Sequence, residues 1–227
     1  MEIPNEAPVM TLPGVTLFPG TLLPLHIFEP RYRRMLAAVL RSHRMFIVAM
    51  QRRGCASGSP AAVAGLGFVR VCVAHADGTS HLVLQGHARV ELTEMARQEP
   101  FPVSRFRPLR AAARDSVAID ALMAKVRDLV TERIQLGFSS SSTGARKLAD
   151  KIKQAQALLT VPEIIGCLEK RDNPDQVADL VSSALLTRAA QKQIILETVE
   201  VEPRLKHLIH FLMGEISQRQ KKANSEP

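Results

Sequence analysis

The sequence predicts an α+β fold: a small closed or half-closed β-barrel with one embedded helix, followed by an α-helical bundle. Three observations lead there. Up to about Leu109 the chain breaks into short apolar or alternating runs separated by Gly, Pro and Asp turns. A single run with helical spacing, Tyr32, Met35, Leu36, Val39 and Leu40, interrupts them. Beyond Asp115 the apolar residues keep helical spacing, which divides the chain into a barrel subdomain at 1–114 and a helical subdomain at 115–227.

Taken in order, Pro19-Gly20 is a turn signal, because proline presets φ and glycine can take a positive φ. Leu22 to Phe28 is almost wholly apolar and suits a strand buried on both faces, while Pro24 argues that one edge lacks a ladder partner or that the strand bends. Glu29-Pro30 opens the embedded helix, with proline at its first position and a carboxylate near the positive end of the dipole. Its stripe leaves Arg31, Arg33, Arg34 and Arg41 toward solvent.

Met45 to Met50 is a short apolar strand, and residues 51–64, with Gly54, Gly58, Ser59 and Pro60, read as an exposed loop. In Gly67 to Ala74 the valines 69, 71 and 73 alternate with Phe68, Arg70 and Cys72. Asp77-Gly78 signals a hairpin that returns through His81 to Gln85, and Gly86 marks a kink or bulge. Arg89 to Met95 and Val103 to Leu109 supply two further strands.

The stripe Ile119, Leu122, Met123, Val126, Leu129, Val130 and Ile134 predicts a helix ending near Gly137, and Ser139 to Ser142 reads as a flexible link. Leu148, Ile152, Ala155 and Leu159 suggest another helix, and Pro162 opens a short one. Asp172-Asn173-Pro174 caps the next, whose apolar face is Val177, Leu180, Val181, Ala184 and Leu185. Gln191 to Leu196 follow, and Pro203 starts a last helix through Ile216.

The net charge of +8 is concentrated in the first half, where fourteen arginines, no lysine and eight acids lie up to Asp115. Arginine's planar fork suits phosphate and carboxylate groups. No stretch approaches the roughly 20 apolar residues of a membrane span, and the acidic start Met1-Glu2-Ile3-Pro4-Asn5-Glu6 lacks a secretory pattern. A cytoplasmic, membrane-free protein is expected. Cys55, Cys72 and Cys167 form no CxxC and no even framework, which fits reduced thiols.

The chemistry of a catalyst is missing from the pattern. No GxxxxGK[ST] phosphate loop exists, and Gly65-Leu66-Gly67 is a fragment entering a strand. Serines 139–142 stand near Lys147 in a polar linker, whereas a nucleophile needs a fixed base partner. His207 and His210 have helical spacing but lack a third ligand, and Glu197 and Glu200 read as helix surface. We therefore expect no catalytic residue, no cofactor and no metal.

The stretch Leu17-Phe18-Pro19-Gly20, with Leu23-Pro24-Leu25-His26-Ile27-Phe28-Glu29-Pro30-Arg31-Tyr32, resembles the opening of the Lon protease N-terminal domain. Asp77-Gly78, Asp172-Asn173-Pro174, Ala178-Asp179, Lys192-Gln193, Leu196-Glu197 and Arg204-Leu205 extend the resemblance from about Val9 to Ile216. Ile195, before Leu196-Glu197, departs from the family's Leu-Leu-Glu, and residues 51–64 and Ser139–Thr143 look variable. The resemblance implies a PUA-like β pseudo-barrel with a helical bundle, in a form without ATPase and protease domains.

Two functions follow as expectations. The resemblance implies a non-catalytic module that binds unfolded or specific polypeptides, as an adaptor or regulator of proteolysis, with polypeptide clients or a protease as partner. Such a module needs an exposed apolar groove, for which the barrel–helix junction is the candidate and Phe18, Leu22, Phe28 and Tyr32 are the candidate linings. Glu29 and Arg31 are placed to pair at the helix start. The alternative is an RNA-binding face made of Arg33, Arg34, Arg41, Arg44, Arg105 and Arg107. Zero Trp and one Tyr count against it, since single-strand binders use aromatic stacking platforms.

Overall fold

A computed structural model of the protein describes residues 3–52, 54, 59–112, 116–136 and 173–223. The fold is α+β, with a mixed six-stranded sheet and five helices among the described residues. The chain forms two compact units, Met1–Arg110 and Ala111–Pro227.

The first unit holds β1 (Glu6–Leu12), β2 (Leu22–Ile27), α1 (Pro30–Leu40), β3 (Met45–Met50), β4 (Val63–Ala74), β5 (Ser80–Arg97) and β6 (Val103–Leu109). Strand β1 runs parallel to β3, and every other pair is antiparallel. Strand β5 organises the unit. One of its edges pairs with β4, and the other pairs first with β2 through Ser80–Gln85 and then with β6 through Arg89–Arg97. Because β6 also pairs with β1, the strands β5, β4, β3, β1 and β6 close into a ring, with β2 as an additional strand on β5.

The ring has a packed interior of Ala7, Val9, Met45, Ile47, Ala49, Ala64, Leu66, Val90 and Phe106. Burial of such side chains contributes about 25 cal/mol per Å² of apolar area removed from water. Strand β3 is buried on both faces at Met45 to Ala49, as its unbroken apolar run requires. Helix α1 buries Tyr32, Met35, Leu36 and Val39, and the Tyr32 hydroxyl donates to the Thr11 carbonyl at 3.2 Å. Burial pushes the Tyr32 phenol up from its ordinary pKa.

The Pro19-Gly20 turn forms as expected. Thr21 N–H donates to the Phe18 carbonyl at 3.3 Å and its hydroxyl donates to the same oxygen at 2.8 Å. Gly20 takes φ +73°, the left-handed region that a turn with proline before it needs. The turn is fastened to β5 by two bonds, Gly20 N–H to the Gly86 carbonyl at 2.9 Å and Gly86 N–H to the Thr21 carbonyl at 2.8 Å. A Cβ at Gly86 would stand 1.9 Å from the Phe18 carbonyl oxygen, so only glycine admits this approach.

Several elements differ from expectation. Strand β1 carries Pro8 and was not anticipated, although Pro8 lies in register with Val103 of β6. The two strands expected on either side of Gly86 are one 18-residue strand, β5. The expected irregularity at Gly86 is present as a register shift: Gly67 faces Gly86 and Leu66 faces Ala88, leaving His87 as the extra residue. A second shift lies between Val69 and Val71, where Arg70 is extra.

The second unit holds α2 (Val117–Gln135), α3 (Pro174–Leu185), α4 (Ala189–Glu197) and α5 (Val201–Ala223). Ser116 caps α2 by accepting from Ile119 N–H, and Asn173 caps α3 by accepting from Asp175 and Gln176. Helix α5 packs against α2, α3 and α4 through Leu205, Leu208, Leu212 and Ile216, all buried. It begins two residues before the expected Pro203. A buried Arg204 joins the elements: it donates to Asp175 of α3 at 2.6 Å, to the Thr198 carbonyl at 2.8 Å and to the Val199 carbonyl, and it stands 3.7 Å from Asp179. The expected helices at 148–159 and at Pro162, the Ser139–Ser142 link with Lys147, Asp172, Cys55 and Cys167 lie outside the described residues.

Candidate functional site: an apolar sheet face

Strand β2 is buried on one face, not on both as its apolar run suggests: Leu23, Leu25 and Ile27 point inward, while Leu22, Pro24 and His26 alternate onto the opposite, uncovered face. Strand register extends that second face across three strands. His26, His81 and Val73 stand in one row, Pro24, Val83 and Val71 in the next, and Leu22 with Gln85 in a third. Phe28 continues the face beyond the end of β2, its ring 5.6 Å from that of His26.

Large apolar side chains are unusually exposed here: Leu22 by 43%, Phe28 by 47%, Val71 by 55% and Val73 by 53%. Scattered exposed apolar residues are ordinary, but several on contiguous rows of one sheet face mark an interaction surface. Strand β2 is also an edge, with β5 as its partner among the described residues. Pro24 removes one donor from that edge, which blunts pairing at one position.

The centre of the face is polar, built from three imidazole rings. His26 and His81 stack with centroids 4.4 Å apart, and His81 meets His75 edge-on at 4.9 Å. His75 Nε2 and His81 Nδ1 are 2.7 Å apart. Lost hydration, followed by the neighbouring His26 and His75, holds the His81 imidazole below its ordinary pKa against the opposing pull of Asp77. Among the described residues no group of three or more His, Cys, Asp or Glu is placed to hold a metal ion. Within the trio, two nitrogens are turned on each other instead.

The hairpin expected at Asp77-Gly78 positions His75. Gly78 N–H donates to the His75 carbonyl and His75 N–H to the Thr79 carbonyl, both at 2.9 Å. Asp77 Oδ1 accepts from Thr79 N–H at 2.9 Å and from its hydroxyl at 2.8 Å, an Asx-type lock. These bonds hold the Asp77 carboxyl below the usual carboxylate range.

Of the residues expected to bind polypeptide, the structure brings Leu22 and Phe28 onto this face. Phe18 has no exposed surface and Tyr32 is 5% exposed, so these two are core and line no groove. Glu29 and Arg31 do pair, at 2.9 Å, on the surface at the start of α1, and the Arg31 guanidinium lies 4.5 Å over the Tyr32 ring. Sequence reasoning missed Val71, Val73, His26, His75 and His81 as neighbours, since only the strand register unites them.

The six arginines of the alternative reading serve other contacts or stand apart. Arg105 pairs with Glu94 at 3.0 Å and Arg107 pairs with Glu91. Arg44 donates to the Val69 carbonyl at 3.3 Å and lies over the Phe68 ring. Arg41 caps α1 through its backbone N–H. Arg33 and Arg34 line a shallow groove of about 520 Å³ between α1 and the β4–β5 hairpin, where Arg33 reaches Gly78.

Residues 6–214 match the family model described as the ATP-dependent protease La (LON) substrate-binding domain. The chain belongs to the Lon substrate-binding domain family. It is 25% identical over 218 residues to the Lon protease of Roseiflexus castenholzii, covering 94% of this chain and 25% of that protease. It is 27% identical over 214 residues to the Lon protease of Rhizobium meliloti, covering 92% of this chain and 24% of that one. The chain thus spans about a quarter of the length of these Lon relatives. Among solved structures, the N-terminal domain of the Mycobacterium avium complex Lon protease matches with a TM-score of 0.68 at 20% identity, over 92% of this chain and 98% of that one. A Lon N-terminal domain protein from Xanthomonas campestris matches with a TM-score of 0.62 at 19% identity, over 91% and 98%. These two likenesses show a shared Lon N-terminal fold. No helix among the described residues is long and apolar enough to cross a membrane.

Proposed function

We propose that this protein is a non-catalytic module that binds extended apolar segments of unfolded polypeptides across the outer face of β2, β5 and β4, and that it serves protein quality control as an adaptor or regulator of a Lon-type protease. One observation carries the reading: Leu22, Phe28, Val71 and Val73 are exposed together on contiguous rows of one sheet face beside an edge strand. An extended segment has the right shape for such a face, because its side chains alternate at the strand period and one row of them can lie along the exposed apolar rows. The family description as a substrate-binding domain supports the same class of ligand. In this reading the first unit is a PUA-like pseudo-barrel, the second a helical bundle, with the division at 114/115, and the protein works in the cytoplasm.

The test is direct binding of a reduced, carboxymethylated model polypeptide, which stays unfolded, measured by fluorescence anisotropy. The wild-type protein binds it, and a Phe28→Ser/Val73→Ser double variant of unchanged fold loses most of the affinity. Equal binding by both proteins would move the site off this face, and no binding by either would remove the function.

A further inference from the structure

The three histidines at the centre of the face are held so that full protonation is incompatible with their geometry. A nitrogen–nitrogen separation of 2.7 Å between His75 Nε2 and His81 Nδ1 is a hydrogen bond, so one of the two nitrogens must be an unprotonated acceptor. Two imidazolium rings there would set N–H against N–H. The stacked His26 ring, 4.4 Å away, would add a third like charge. Asp77 faces His75 and His81 from the turn, but its Oδ1 already accepts two bonds from Thr79. Arg33 of α1, lying against Gly78, further offsets the Asp77 charge. Apolar side chains share the face, with Phe28 beside His26, Val73 in the row of His81, and Val71 and Val83 in the row alongside; the exposed Arg70, the extra residue before Val71, is the charged group that β4 adds.

We propose that the His26–His75–His81 trio makes this face a proton-gated docking surface, which holds an uncharged extended apolar segment over neutral imidazoles and releases it when the trio protonates. This inference rests on the polypeptide-binding reading above. Its physical basis is linkage. A segment laid over the rings removes water from them, which disfavours the charged form more than the neutral one. Binding therefore expels protons, and affinity falls as pH falls through the histidine range, below about 6.5. The depressed titration of His81 in the free protein agrees with this arrangement.

The probe is an acetylated, amidated peptide of about ten residues alternating Val and Ser, long enough for one strand and free of titratable groups, with a rhodamine label. Anisotropy titrations compare about pH 7.5 with about pH 5.0, spanning the histidine range. The wild-type protein should bind about tenfold more weakly at the lower pH. A His26→Gln/His81→Gln variant should bind within about twofold at the two values, and His75→Gln should flatten the profile in the same direction. Equal wild-type affinities at both pH values overturn the gate and leave the docking face standing. An unreduced pH dependence in the double variant overturns it as well. Absence of binding at the higher pH overturns the polypeptide reading and the gate together.

Discussion

Arg204 and Asp175 form a 2.6 Å charge-assisted bond that ties α5 to the first turn of α3, with the guanidinium buried and the carboxylate partly exposed. The same guanidinium donates to the carbonyls of Thr198 and Val199 in the connection between α4 and α5. One side chain thus fastens α3, the α4–α5 connection and α5 together. Truncating such a group takes the donor from three part-buried acceptors and empties the buried site of the guanidinium, which costs more than the pair itself contributes. Arg204→Ala should lower stability by about 3–5 kcal/mol, read as a drop in the urea midpoint of the second unit. Arg204→Lys should recover only part of that loss, because an ammonium cannot reproduce the planar fork.

Gly86 predicts a second effect. Its Cα lies where the Phe18 carbonyl crosses β5, and a methyl group there would meet backbone, not a yielding side chain. Gly86→Ala should destabilise the first unit by about 1–3 kcal/mol. Gly20→Ala meets open space and suffers only the positive φ, so its cost should be about 1–2 kcal/mol. Thermal denaturation of the two variants checks the order.

Acidification should destabilise the fold through His43 and His81. Burial holds the His43 imidazole below its ordinary pKa, and its Nδ1 accepts from Met45 N–H at 3.1 Å, a role only the unprotonated nitrogen can fill. Both histidines are depressed in the folded state, so the unfolded chain binds more protons in this range. Their stabilising contribution is complete above about pH 6.5, the unfolded value, and is lost as pH falls through the folded values. Unfolding midpoints measured from neutral to mildly acidic pH should decline, and His43→Asn/His81→Asn should flatten the curve. A midpoint unchanged on acidification counts against this account.

The exposed pairs on β5 and β6 should contribute little. Arg105→Ala and Arg107→Ala each remove one surface ion pair, with Glu94 or Glu91, and should change stability by at most about 1 kcal/mol. A larger loss in chemical denaturation would show that these pairs pin the closing seam of the ring.

Much of this architecture was legible in the sequence because local chemistry and tertiary structure agree. The Pro19-Gly20 turn, the start of α1 at Pro30, β3 and β6 in full, and the Asn173 cap are all set within a few residues of themselves. Strand β1 is less legible, because Pro8 argues against a strand until its partners are known. Strand β5 was divided at Gly86, where the glycine accommodates another segment's carbonyl while the strand runs on. The candidate face was the least legible. The valines at 69, 71 and 73 alternate as if they shared one side, yet Arg70 is an extra residue in the ladder. That insertion leaves Val69 inside and turns Val71 and Val73 outward. Phe18 and Tyr32 read as groove residues beside Leu22 and Phe28, but the anchored turn holds Phe18 in the core and the inward stripe of α1 buries Tyr32.

The alternation along β2 has a wider consequence. Leu23, Leu25 and Ile27 belong to the interior, while Leu22, Pro24 and His26 belong to the surface. Neighbouring positions in the chain therefore answer to different selective demands: one set must keep its volume, and the other can change its chemistry. A lineage could retune what this surface recognises through every second residue of a six-residue strand, leaving the interior untouched.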